Sequence, residues 1–149
     1  MNEMVNSKAL SHNDDSGFFF AQEMLDGDVT AAINFDRLQK HPQYGYIIFE
    51  YLLCDERQFS RGIHPYTSHP RRYWRQNKRK FLGLWEAAKT LNAMLYLVNY
   101  SKKGTTYENE ILLIQVKDMD ENGITKEDTK KMTRENFKKW FRKINRECL

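Results

Sequence analysis

Cysteine, proline and glycine are scarce in this chain, and it has no long apolar run. Only two cysteines, Cys54 and Cys148, occur among 149 residues. Two thiols that far apart form no metal-type pair and favour the reduced state. Reduced thiols in a cytoplasmic protein are the expectation. Three prolines and seven glycines are too few for a collagen-like or low-complexity architecture. No apolar stretch reaches the ~18 residues that span a bilayer, so no membrane partner is expected. The polar start, MNEMVNSKALSHNDDSG, lacks the apolar segment of a signal peptide. A glycine-rich phosphate loop and a nucleophile elbow are also missing.

What is present is the material of one core. The chain is 40% hydrophobic and 13% aromatic, which at this length favours a single domain over two. Residues 1–15 read as a flexible polar arm and 16–149 as the domain. Ser16 can cap a short helix, GFFFAQEMLDG, whose Phe18–Phe20 run reads as core. TAAINFDRLQ reads as a strand, KHPQYG as a turn through Pro42 and Gly45, and YIIFEYLLC as a strand covered on both faces. From Arg57 to Pro70 no periodicity is visible and a long, mobile loop is expected. A helix follows from Asn77, with Phe81, Leu84, Trp85, Ala88 and Leu91 on one stripe.

AMLYLVNY and ILLIQVKDM are two further strands, set to pair as a hairpin across SKKGTTYENE. Thr125 and Asp128 resemble a capping box for a short helix. Thr133 can cap the last helix, which buries Phe137, Trp140, Phe141 and Ile144. The expected class is α/β (α+β): a mixed central sheet of four or five strands flanked by helices.

One charged residue sits in the most apolar stretch. Glu50 lies at the centre of YIIFEYLLC, where an unpaired carboxylate costs several kcal/mol. Asp36 precedes it by fourteen residues. A symmetric hairpin through the Pro42–Gly45 turn brings the two carboxylates together. All-oxygen sites of that kind suit Mg²⁺ or Mn²⁺. Other readings pair Glu50 with an arginine of the Arg71–Arg79 cluster, give Asp36 turn hydrogen bonds, and leave Glu23 a solvated helix residue.

The order helix, strand, strand, helix, strand, with Asp36 and Glu50 placed as in FDRLQKHPQYGYIIFEYLL, resembles the PD-(D/E)XK nuclease superfamily, the restriction-endonuclease-like fold. The resemblance covers residues 16–100. It implies metal-dependent hydrolysis of DNA phosphodiesters, with Asp36 and Glu50 as metal ligands and Glu23 of the first helix assisting. The family's lysine, two residues after the glutamate, is replaced here by Leu52. Relocation to the following helix, as in some members, makes Lys78 or Lys80 the catalytic lysine, with Gln76 available for a polar role.

The remaining conspicuous stretch is RQFSRGIHPYTSHPRRYWRQNKRK. Arg57, Arg61, Arg71, Arg72, Arg75, Lys78, Arg79 and Lys80 occur with no acidic residue between Arg57 and Trp85. Tyr66, Tyr73 and Trp74 are interleaved. Clustered cations neutralise phosphates and aromatic planes stack on unpaired bases, so nucleic acid, DNA in particular, is the expected partner. A basic outer face on the last helix (Lys138, Lys139, Arg142, Lys143, Arg146) offers a second contact. Oligomeric state is left open, a homodimer included. The alternative to a nuclease is a non-catalytic nucleic-acid-binding or protein-interaction module on the same fold, such as a mobile-element regulator.

Overall fold

A computed structural model describes residues 15–149; all of the expected N-terminal arm except Asp15 lies outside them. The chain divides into two compact units, one running to Ile33 and one spanning Asn34–Cys148. In the first, helix α1 (Ser16–Leu25) has Asp15 at its N-cap, so Ser16 is its first helical residue and does not cap it. Asp26 in the left-handed region and Gly27 then end it. The helix buries no residue, and Phe18, Phe19 and Phe20 are exposed where core positions were expected.

The second unit holds a five-stranded sheet in chain order: β1 (Arg37–His41), β2 (Gly45–Leu53), β3 (Met94–Tyr100), β4 (Glu110–Asp120) and β5 (Gly123–Thr133). β2 and β3 are parallel and every other pair is antiparallel. Helix α2 (Trp74–Leu91) is the crossover that the parallel pair requires. Helix α3 (Arg134–Glu147) closes the chain. The mixed sheet flanked by helices is as expected, with five strands.

Alternation along the strands sorts the core into two layers. Ile48, Leu95, Leu97 and Ile114 point to the α2 face, where Phe81, Leu84 and Ala88 meet them. Ile47, Phe49, Val98 and Leu113 point the other way, against Ile144, with Phe137, Trp140 and Phe141 packed on the same cluster. The stripe expected on the last helix is therefore the one it uses. Thr133 caps that helix, its hydroxyl accepting from the Asn136 amide at 3.1 Å.

Three further expectations need correction. The first hairpin strand begins only at Arg37. The Thr30 hydroxyl takes the Ala32 amide at 3.0 Å, a local bond that competes with a ladder. Residues 123–133 form β5 in place of a capped helix. The two-residue turn Glu121–Asn122 folds this β-branched segment back along β4. Pairing the whole edge of β4 outweighs the local capping signal. Finally, α2 starts at Trp74, three residues before the expected Asn77.

The parallel seam carries the largest fully buried side chain of the α3 layer. Phe49 is fully buried against Tyr96, Trp140 and Phe141. Phe49→Ala should cost about 3–5 kcal/mol in urea unfolding, whereas Thr133→Ala should cost about 1 kcal/mol. Equal losses would contradict this assignment of layers.

Candidate functional site

β1 and β2 pair Arg37 with Phe49 and His41 with Gly45. Continued by one residue, that symmetric register sets Asp36 opposite Glu50, as the hairpin spacing predicts. Asp36 lies just before β1, and its Oδ2 accepts the Tyr51 amide at 2.7 Å. This is a bond across the hairpin; the expected alternative was a bond within the turn. His41 pins the far end of the hairpin: its Nδ1 accepts the Gln43 and Tyr44 amides and its Nε2 meets Glu147 at 2.7 Å.

Glu50 faces the α2 layer and is 2% exposed. Its partner is Lys80, one of the two lysines proposed to replace the missing one; the ammonium meets Oε1 directly. The cation seen on Oε1 is thus a lysine, where the alternative reading placed an arginine. Lys80 leans in from the seventh position of α2 and remains 40% exposed, so its stem crosses apolar surface while its head keeps water on one side. No hydrogen bond of ordinary geometry reaches Oε2, which is also buried.

Opposing influences set the charge of Glu50. Burial pushes its carboxyl above the usual range; the hydrogen bond and charge of Lys80 pull it down, the Asp36 charge adds to the rise and the Asp36 amide lowers it. The net direction is upward. The two carboxylates are thus electrostatically coupled across the hairpin. Tyr73, just before α2, is raised by burial, with the negative side of Cys54 and Glu50 adding to it.

Leu52, on the same face as Glu50, packs into the α2 layer and places no polar group there. Lys78 is half-buried and Gln76 exposed. Glu23 is exposed on α1, in the N-terminal unit. Among the described residues no group of three or more His, Cys, Asp or Glu side chains could hold a metal ion.

The basic segment is more ordered than a loop. It forms two 3-10 helices, Glu56–Arg61 and Pro70–Tyr73. His64 binds Glu110 at 2.6 Å and His69 binds Glu127 at 2.8 Å. The Tyr66 hydroxyl donates to the Met132 carbonyl at 2.9 Å, and the buried Asn99 amide donates to the carbonyls of Pro65 and Ser68. These ties go inward, while Arg57, Arg61, Arg71, Arg72, Arg75 and Arg79 stay exposed. Arg57 is held by Asp55 at 3.0 Å through two nitrogens. Its side chain, and then its backbone amide, bring the Asp55 carboxyl down to about 2. Arg72 donates to Ser68 at 3.0 Å.

Trp74 does not serve as an exposed stacking plane. Its ring is buried against Phe81 and its indole donates to the Glu121 carbonyl at 2.9 Å. Tyr73 and Tyr66 are also packed on the α2 layer. Asn99 is the polar residue that sequence reasoning passed over; its signal was a lone amide inside the apolar run AMLYLVNY. No family model, curated protein or solved structure matches the chain. None of the described helices is long and apolar enough to cross a membrane.

Two measurements test this electrostatic arrangement. Lys80→Met should move the Glu50 carboxyl still higher in a carbon-detected NMR titration, because it removes the influence opposing burial. At pH 7 it should destabilise by about 3 kcal/mol, the low end for severing a buried pair, since Lys80 is partly solvated. A raised carboxyl binds its proton more tightly when folded. Its favourable contribution is complete below the unfolded value and declines as pH rises through the folded one. Glu50→Gln should therefore remove a loss of stability that the wild type shows as pH climbs from 4.5. Parallel stability curves for the two proteins would rule the proposed pKa direction out.

Proposed function

We propose that this chain binds nucleic acid, DNA in particular, and hydrolyses its phosphodiester bonds at a site made of Asp36, Glu50 and Lys80. The observation that carries the reading is the meeting of Lys80 with buried Glu50, across the hairpin from Asp36. Two coupled carboxylates and one ammonium are the side-chain set that the resemblance to PD-(D/E)XK nucleases implies for a member with a relocated lysine. Asp36 and Glu50 would hold Mg²⁺ or Mn²⁺. Such an ion supplies an activated water and stabilises charge on the phosphoryl oxygens.

The chain's own groups would do the rest. Lys80, half in water beside Glu50, can donate to a water or to a phosphate oxygen. The outward arginines Arg71, Arg75 and Arg79 neutralise backbone phosphates, with Arg61 and Lys78 extending the patch. The inward ties of His64, His69 and Asn99 hold that patch in place, which limits the ordering cost on binding.

One observation favours a second reading, a binding module without catalysis. Leu52 puts no lysine beside the glutamate, and Lys80 is the direct partner of Glu50. That pair can serve stability alone.

Cleavage assays on single-stranded, double-stranded and branched DNA separate the two. Cleavage should require Mg²⁺ or Mn²⁺ and vanish in Glu50→Ala while DNA binding persists. Lys80→Ala should lose a factor of about 10²–10⁴ in rate, the usual span for a proton-handling side chain. Lys78→Ala should lose far less. No metal-dependent cleavage by the wild type, with none created by Leu52→Lys, would leave the binding module as the account.

Binding itself should weaken steeply with salt, and Arg71→Ala with Arg75→Ala should flatten that slope by about 2. Affinity indifferent to salt would remove nucleic acid as the partner.

A further inference from the structure

The sheet face opposite Glu50 carries a cavity of about 710 Å³ under the first turns of α3. Its volume lies in the range of small-molecule sites, roughly 300–1,000 Å³. Val98 and Ile111 contribute its aliphatic surface, from neighbouring central strands. Tyr51, Tyr100, Phe137 and Phe141 contribute aromatic surface. None of the residues assigned above to DNA cleavage takes part.

The polar lining is one-sided in charge. Its charged lining is Lys103, Arg134 and Lys138 with a single carboxylate, Glu135. Arg134 is committed to the fold: its Nη1 donates to the carbonyls of Ser101 at 3.0 Å and Glu108 at 2.8 Å. Lys103 and Lys138 are exposed, and neither takes part in an ion pair among the described residues. The local surplus of positive charge therefore sits on two solvated ammonium groups beside an aromatic chamber.

We infer that this cavity binds a small amphipathic anion, with a flat or extended apolar body against the aromatic side chains and a carboxylate or phosphate at Lys103 and Lys138. A neutral apolar guest leaves that positive surplus unanswered. A purely polar anion leaves the rings and the Val98–Ile111 surface in water, forgoing about 25 cal/mol for each Å² that an apolar body would cover. Only a ligand with both parts uses the whole lining. A nucleotide and a fatty acid are two sources of this chemistry.

The probe is anilinonaphthalene sulfonate, a fluorescent aromatic anion, titrated into the full-length protein. Saturable binding at one site is expected. Lys103→Gln combined with Lys138→Gln should weaken it by about fivefold or more, and the uncharged analogue phenylnaphthylamine should bind the wild type more weakly by a similar factor. Asn109→Trp, placed at the cavity's exposed lining, should block the site. Circular dichroism verifies that variant, and if it fails to fold the lysine pair decides alone.

Displacement of the dye by thymidine monophosphate or by dodecanoate identifies the source of the natural anion. Non-saturating fluorescence, indifference to the two lysines, or displacement by neither competitor at millimolar concentration would overturn the proposal. Loss of DNA cleavage in Glu50→Ala leaves this binding untouched, so the two proposals fail separately.

Discussion

A carboxylate taken out of water at the centre of a doubly covered strand must be answered by a cation from the layer above it. Glu50 imposes that demand, and Lys80 meets it. The pair constrains α2 in rotation as well as in height. Turning Lys80 toward the sheet brings Phe81, Leu84 and Ala88 onto Ile48, Leu95 and Leu97. The parallel β2–β3 pairing follows from the same crossover. A break in the pair would leave a buried charge, which costs more than the intact pair contributes. The arrangement also keeps one oxygen of Glu50 without a hydrogen-bond partner, as it does, among the described residues, the buried Gln39 Nε2, Trp85 Nε1 and Asn99 Oδ1. Groups held in that way are found at functional sites and in structural ion pairs alike.

The segment from the end of β2 into the start of α2 resolves a conflict between charge and packing. Its histidines, tyrosines and tryptophan turn inward to Glu110, Glu127, Met132 and Phe81, and its arginines turn out. Acidic partners missing from the local sequence come from β4 and β5, far along the chain. The basic surface is consequently mounted on a fixed support. The two faces of the sheet then differ in character. One carries the Glu50–Lys80 pair under α2, and the other an aromatic chamber under α3.

Much of the sheet was legible from periodicity. The doubly apolar run around Glu50, the two apolar strands after α2 and the stripe of the last helix all stand where pattern places them, because burial of those side chains leaves few alternatives. The reading broke down where local signals met an unseen neighbour. Thr125 and Asp128 look like a helix start, but β4 offered an entire edge to pair with. Phe18–Phe20 look like core, but α1 buries none of them. Trp74 looks like a stacking plane, but Phe81 and the Glu121 carbonyl claim it.

By itself, the sequence determined that Glu50 had to be buried and paired, that Asp36 would stand across the hairpin from it, and that positive charge would gather after β2. Spacing and composition suffice for these, since a symmetric hairpin register and a run without acids are one-dimensional facts. Which cation answered Glu50 was decided only in three dimensions. Lys78, Lys80 and the arginines of the cluster are interchangeable by charge; the pitch of α2 over the sheet selects among them. The same holds for the inward partners of His64 and His69 and for the chamber under α3. Each depends on side chains brought together from elements tens of residues apart, and no local pattern encodes that meeting.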